Sequence, residues 1–260
     1  MSRHVTRMTI YDAPHYTDAQ RKELIASWPD HERDARALGL PKLGAGAVFP
    51  LSQRHLDEMR IERLERIPHH WYRIGGIDFG WTHPTAAVML LHDRDYDVVY
   101  VVKAHRLAKA TPEEHAIILR QWGKTLPWAW PHDGLNETAA GRGVALRDQY
   151  REAGLDMLDE HAHYLSVVDD VEKKDTSVEA GLMEMLDRMR SGRLKVYDDL
   201  SDWWDEFYGY HRDPKTGKVV KEADDLMSAT RYAIMMLRHA RQPKIRRARA
   251  TVPKRRNFDT

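Results

Sequence analysis

Three short apolar runs follow one another near the middle of the chain, each closed by polar or turn-forming residues. They are Arg73-Ile-Gly-Gly-Ile77, Thr85-Ala-Ala-Val-Met-Leu-Leu91 and Asp97-Val-Val-Tyr-Val-Val-Lys-Ala104. Runs of this length rich in β-branched residues predict strands, and the short connections between them predict antiparallel neighbours. Helical spacing takes over afterwards. Thr111-Pro-Glu-Glu114 supplies a capping hydroxyl, a proline at the first helical position and a glutamate at the third, which predicts a helix to Trp122. A further helix is expected over residues 144–153, and another over 177–190 that turns Leu182, Met185, Leu186 and Met189 inward and stops at Gly192. Arg193-Leu-Lys-Val-Tyr197 reads as one more strand, and Leu226, Ala229, Ala233 and Leu237 place an apolar stripe on a last helix. Strands alternating with helices predict an α/β fold, with a mixed central sheet flanked by helices.

Composition narrows the class without deciding it. With 260 residues, 42% hydrophobic and 31% charged, the chain suits one main globular domain with appendages. Absence of cysteine excludes disulfides and any thiolate metal site. No apolar run is long enough to span a bilayer and Met1-Ser-Arg-His-Val-Thr-Arg7 is not a signal peptide, so a soluble intracellular protein without membrane partners is expected. The formal net charge of +1 conceals a concentration of basic residues near the C-terminus. Arg241, Lys244, Arg246, Arg247, Arg249, Lys254, Arg255 and Arg256 share the last twenty residues with a single acid, Asp259. Residues 241–260 are accordingly expected to form a basic, disordered tail, either simply solvated or making salt-sensitive phosphate contacts.

Candidate chemistry sits where the predicted elements end. Asp78 closes the first strand, beside Gly75, Gly76 and Gly80, which allow backbone or ligand to approach closely. Asp133 follows the short apolar run Trp128-Ala-Trp-Pro-His132, with Gly134 and Gly141-Arg-Gly143 reading as loop. Asp224 and Asp225 open the last helix, where N-capping and the helix dipole would also account for acids. Asp78 and Asp133 lie 55 residues apart, and Asp133 and Asp225 lie 92 apart, so only a fold brings them together. An oxygen-rich cluster of this kind favours magnesium or manganese over zinc. His83 and His132 adjoin these acids as candidate orienting groups, and Glu137 would join them if its loop folds back.

The order of Gly-Ile-Asp78-Phe-Gly, His-Asp133-Gly and Asp224-Asp225-Leu-Met-Ser-Ala-Thr-Arg-Tyr232 resembles the C-terminal nuclease domain of the large terminase subunit of tailed bacteriophages. The resemblance spans roughly residues 70 to 240. It implies a ribonuclease H-like fold and an endonuclease that cuts concatemeric viral DNA during genome packaging, in the cytoplasm of the bacterial host. By position, Asp78, Asp133 and Asp225 match the family's metal-binding acids, with Asp224 as a neighbour able to share the role. Two Mg2+ or Mn2+ ions are then expected, Asp78 bridging them and Asp133 and Asp225 each holding one. Double-stranded DNA, the terminase small subunit and the portal protein are the partners implied.

Residues 1–68 resemble the end of the family's ATPase domain and its linker, in Met8-Thr-Ile-Tyr-Asp12, Pro29-Asp-His-Glu-Arg33 and Gly44-Ala-Gly-Ala47. No Gly-x-x-x-x-Gly-Lys-Ser/Thr string occurs, so motor activity is not expected of this chain. The division expected is residues 1–68, the nuclease domain over 69–240, and the tail over 241–260, as part of a longer polypeptide or a shortened gene product.

Tyr208-Gly-Tyr-His-Arg-Asp-Pro-Lys-Thr-Gly-Lys-Val-Val-Lys221 predicts a hairpin turning at Asp213-Pro-Lys-Thr-Gly217. It carries Arg212, Lys215, Lys218 and Lys221 with two tyrosines, so it offers phosphate contacts beside a repulsive acid cluster, although lysines on an edge also deter aggregation. Lys173 and Lys174, expected in a loop before the 177–190 helix, are further phosphate candidates. Two rival readings accompany the nuclease. A non-catalytic DNA-binding or docking module of the packaging motor would need none of the acids. An actin-like or sugar-kinase phosphotransferase would share Gly-Ile-Asp-Phe-Gly-Trp-Thr82, but no second glycine-rich phosphate loop or adenosine-binding glycine pair is found.

Overall fold

In the computed structural model, which describes residues 9–28, 33, 36, 37, 46–137, 143–168 and 171–243, the chain enters through α1 (Asp18–Ser27) and α2 (Gln53–Met59). The hydroxyls of Thr17 and Ser52 cap these helices by accepting the amides of Gln20 and His55. Next come β1 (Arg60–Ile61), β2 (Tyr72–Asp78), β3 (Thr85–Asp93) and β4 (Val98–Leu107). They are followed by α3 (Pro112–Leu119), which ends in a 3-10 turn over Arg120–Trp122, then β5 (Pro127–Ala129), α4 (Leu146–Glu152) and β6 (Asp156–Met157). After β7 (Tyr164–Val168) and β8 (Val171–Asp175) the chain runs through α5 (Val178–Arg190), β9 (Leu194–Tyr197), α6 (Ser201–Gly209) and α7 (Asp225–Met235). Several expected features lie outside the described residues, in whole or part: residues 29–32, 34, 35 and 38–45 of the N-terminal segment, Gly141 and Arg142, and residues 244–260 of the basic tail.

Seven strands make one mixed sheet in the order β1-β9-β4-β3-β2-β5-β6. β3 pairs antiparallel with β2 and β4, as the short connections predict, and the remaining neighbours are parallel. Burial along β3 is unbroken from Thr85 to Leu91, because helices cover both faces of the sheet and neither face needs a polar residue. β7 and β8 form a separate antiparallel pair, and this corrects the expected loop at Lys173 and Lys174, which instead belong to β8. Its polar sequence, Val-Glu-Lys-Lys-Asp175, hid a strand whose pairing comes wholly from Tyr164–Val168.

Two adjacent glycines of β2 let the layers close on it from opposite sides. A Cβ on Gly75 would stand 2.4 Å from the ring of Trp128, which lies across it and packs on Trp122 with ring centres 5.7 Å apart. A Cβ on Gly76 would stand 2.0 Å from the carbonyl oxygen of Ala229, so α7 rests directly on the strand backbone. Leu226, Ala229, Ala233 and Leu237 are all buried there, as the helical spacing predicts, although Leu237 belongs to a 3-10 turn beyond α7. Leu182, Met185 and Met189 of α5 are likewise core residues, and Leu186 packs against them half-buried.

Candidate active site

Asp78 is the last residue of β2, paired with Ala86, and the bend after it is tightly held. Gly80 donates its amide to the Thr85 hydroxyl oxygen at 3.1 Å, and that hydroxyl donates to the Gly80 carbonyl at 2.9 Å. A side chain at Gly80 would strike the His83 carbonyl, 2.3 Å from an added Cβ. The carboxylate is therefore presented from the centre of the sheet on backbone that has no freedom to drift.

Asp133 arrives from the next strand. β5 runs parallel to β2 with Gly76 opposite Ala129, and Asp133 lies not at the strand end itself but in a 3-10 turn, His132–Leu135. Pro131, which has no amide to extend a ladder, separates the two. Asp224 and Asp225 come from the α7 N-terminus, which the Gly76 contact seats over β2. Asp224 occupies the N-cap position, yet its side chain makes no capping hydrogen bond.

Capping is done by a residue the sequence reading did not single out. Glu206 of α6, 2% exposed, accepts the Leu226 amide at 2.6 Å and the Met227 amide at 3.4 Å. This leaves both aspartates of α7 free of that duty. Arg106 of β4 forms an ion pair through Nε with Glu206 at 3.1 Å, and its Nη2 donates to Asp225 at 3.2 Å. Burial pushes the Glu206 carboxyl up to about 7, against the pull of the Leu226 amide and the Arg106 charge. Nothing in the local sequence marks either residue, since the helix that Glu206 caps begins about twenty positions later.

Electrostatically the four aspartates form one cluster. Burial raises the Asp78 carboxyl well above the usual carboxylate range, and the charges of Asp133, Asp225 and Asp224 raise it further, while Arg231 opposes them. Asp133 is exposed as a residue, but protein packed around its carboxyl also raises it, offset by its own and Gly134's amides and by His132 and Lys221. Asp224 is raised first by burial and then by Asp225, with Lys221 and Arg231 opposing. Arg231, 5% exposed, stacks its guanidinium 4.4 Å from the Tyr232 ring centre and has no carboxylate within ion-pair distance among the described residues. The Tyr232 phenol is pushed upward by burial and then by the charges of Asp78 and Asp133, with Arg231 opposing. Among the described residues no three His, Asp or Glu side chains close into a ready-made metal cage. The acids share a field, not a finished coordination shell.

The remaining candidates divide. His132 stays beside Asp133 and packs edge-on against His161, ring centres 4.9 Å apart. His83 is exposed in the bend, and Glu137 is exposed with its backbone bridged to Ala145; neither is among the groups acting most strongly on Asp78, Asp133 or Asp224. The predicted hairpin forms, with Arg212 bridged to Val219 and the Asp213 carboxylate accepting the amides of Lys215 at 2.9 Å and Thr216 at 2.7 Å. Lys215, Lys218 and Lys221 are exposed, but Arg212 is held by two 2.7 Å hydrogen bonds to Glu179 and is not free for phosphate. Tyr208 belongs to α6, where it is exposed, and Tyr210 is buried against Phe49, so the hairpin itself displays neither tyrosine. Lys174 is paired with Glu160 at 3.1 Å.

Central antiparallel strands continued by parallel ones, with acids at the strand and helix ends, define a ribonuclease H-like nuclease fold. The chain belongs to the terminase RNaseH-like domain family, whose model matches residues 75–237, while residues 2–55 match the N-terminal family of T4-like terminase large subunits. It is 41% identical over 240 residues to the terminase large subunit of Salmonella phage P22, covering 92% of this chain and 46% of that protein. The terminase large subunit of Enterobacteria phage LP7 is 40% identical over 235 residues, 90% of this chain and 47% of the relative. The chain thus spans about half the length of these relatives. The P22 large terminase nuclease domain superposes with a TM-score of 0.66 at 36% identity, covering 77% of this chain and 97% of that domain. The large terminase of a thermophilic bacteriophage, 16% identical with a TM-score of 0.56 over 88% of this chain and 55% of its own, shares the fold.

Proposed function

We propose that this chain is a divalent-metal-dependent endodeoxyribonuclease that cuts concatemeric phage DNA during packaging, with Asp78, Asp133 and Asp225 as its metal ligands and Asp224 assisting. The observation that carries the reading is the state of Asp78: a carboxyl at the sheet centre, raised by burial and by three other aspartates from two separate elements. Its donor set suits the proposed ions. The ligands are all carboxylate oxygens, mutually repulsive and countered only in part by Arg106 and Arg231, an imbalance that hard cations such as Mg2+ or Mn2+ relieve. When bound, two such ions supply an activated water and stabilise the leaving oxygen.

The chain's own residues do the rest. Arg106 steadies Asp225 while Glu206 holds the α7 N-terminus, and Arg231 balances the charge behind Asp78. Lys215, Lys218 and Lys221 draw the phosphate backbone toward an otherwise repulsive site; Lys221 is close enough for its charge to act on Asp133 and Asp224. Support for a packaging role comes from family membership, with the small subunit and portal as partners and the host cytoplasm as the setting. No described helix is long and apolar enough to cross a membrane.

Incubating supercoiled plasmid with the purified chain, with metal as the only variable, tests the reading. Nicked and linear DNA is expected with Mg2+ or Mn2+ and none in EDTA. A folded chain that binds DNA but never cuts it is a docking module instead.

A further inference from the structure

A cavity of about 940 Å3 opens directly beside Asp133, within the size range of small-molecule sites. Phe79, Trp81 and Tyr150 form its aromatic walls, the Phe79 and Tyr150 rings lying 5.0 Å apart. Trp81 is the unusual member. It is 60% exposed, although burying an indole is among the largest single gains available to a folding chain. Nor does it sit on a loose loop: Gly80 and Thr85 lock the bend by two hydrogen bonds, and the Trp81 carbonyl accepts the Lys109 amide at 2.9 Å. Lys109 makes that contact from a left-handed backbone, φ +56°, a conformation that costs a non-glycine residue energy and persists only where the surroundings impose it. The fold thus spends stability to hold an exposed indole rigidly, three residues from Asp78.

We propose that this cavity takes an unstacked nucleobase of the DNA strand, with Trp81 as the stacking platform. The proposal rests on the nuclease reading for the identity of the polymer, and the lining then selects which part of it enters. Glu113 and Glu152 repel phosphate, but their oxygens and the Asn136 side chain accept hydrogen bonds from exocyclic amino groups. Aromatic walls stack on any base, because every base has a π-face. A base leaving the duplex here would carry its backbone past Asp78 and Asp133 while the phosphates stay with Lys215, Lys218 and Lys221. Unpairing costs least where the duplex is already distorted, so opened DNA is the preferred occupant.

The test compares single-stranded oligodeoxynucleotides of one length, one intact and one abasic, so that the phosphates are equal and only the bases differ. Affinities are measured in EDTA for the full chain as wild type, Trp81→Ala and Trp81→Phe, with plasmid cleavage by the wild type followed in parallel. Wild type is expected to prefer the intact strand about tenfold, Trp81→Ala to lose the preference while keeping its affinity for the abasic strand, and Trp81→Phe to retain most of it. Equal affinity of the wild type for both strands, including failure to bind either, overturns the proposal, as does an undiminished preference in Trp81→Ala. Metal-dependent cutting without base preference removes the cavity and leaves the nuclease standing; base preference without cutting does the reverse.

Discussion

The acid cluster and the basic hairpin are neighbours in sequence, joined within a few residues of Lys221, yet they are built on opposite principles. Each aspartate is carried on backbone fixed by packing: Asp78 by the β2 and β3 ladder, Asp225 by a helix seated on Gly76. The hairpin is held by the isolated bridges Arg212–Val219 and Ala47–His211, by backbone hydrogen bonds across the turn such as Asp213 to Lys218, and by the Asp213 carboxylate and the Arg212–Glu179 pair, with its lysines in solvent. Groups that must keep a geometry against their own repulsion need a scaffold that cannot yield. Groups that only attract a polyanion work through a screened field, for which position within a few ångströms is enough.

The contrast is tested most severely at Asp78. Asp78→Asn should abolish plasmid cleavage while leaving the melting temperature unchanged or higher, since ionised Asp78 is held against burial and three like charges. Wild-type cutting by the folded variant would remove Asp78 from the site. Next in size is Gly76→Ala, whose Cβ would meet the Ala229 carbonyl oxygen at 2.0 Å. Overpacking of this kind should cost about 2 kcal/mol or more in urea denaturation, and a smaller loss would mean that α7 is free to lift.

A subtler effect concerns pH. In the folded protein the Glu206 carboxyl is pushed up to about 7 from an ordinary 4.5, so the folded state binds that proton more tightly than the unfolded state. Its contribution to stability is complete below about 4.5 and is lost as pH rises through about 7. In EDTA, Glu206→Gln should flatten the fall in melting temperature across that window, while its amide oxygen still caps α7. Unaltered pH dependence would assign the effect to other carboxyls.

Replacing Lys215 and Lys218 together with alanine should leave chemistry intact and lower the slope of log affinity against log salt by about one to two. A constant slope would mark the hairpin as a protected edge. The smallest expectation is no effect at all: without a Gly-x-x-x-x-Gly-Lys-Ser/Thr string, millimolar ATP should not shift the melting temperature.

What the sequence disclosed depended on how locally each feature is encoded. The three antiparallel strands and helices α3, α5 and α7 follow from apolar spacing and caps within single segments, and all of them form. The candidate acids were legible because they stand at element ends, though Asp133 lies on a turn beyond its strand. Glu206, Arg106 and Arg231 were not, because each owes its role to a partner on another element. The β7 and β8 pair was missed because a polar strand takes its identity from the strand opposite. Arg212 shows the converse failure, a cation read as available from its neighbours in sequence while Glu179, thirty-three positions away, had already claimed it.

The contact at Gly76 acts as a mechanical stop. Because α7 meets β2 on strand backbone at Gly76, with no side chain of the strand between them there, the separation between Asp78 and the acids of α7 is gauged at that point by the thickness of the polypeptide itself. Volume-conserving exchanges elsewhere in the core should therefore disturb the spacing of the acids less than a change at this contact. In a library of core variants selected only for folding, substitutions at Leu90 or Met189 should accumulate without altering the site, whereas anything larger than hydrogen at position 76 would reset the gauge.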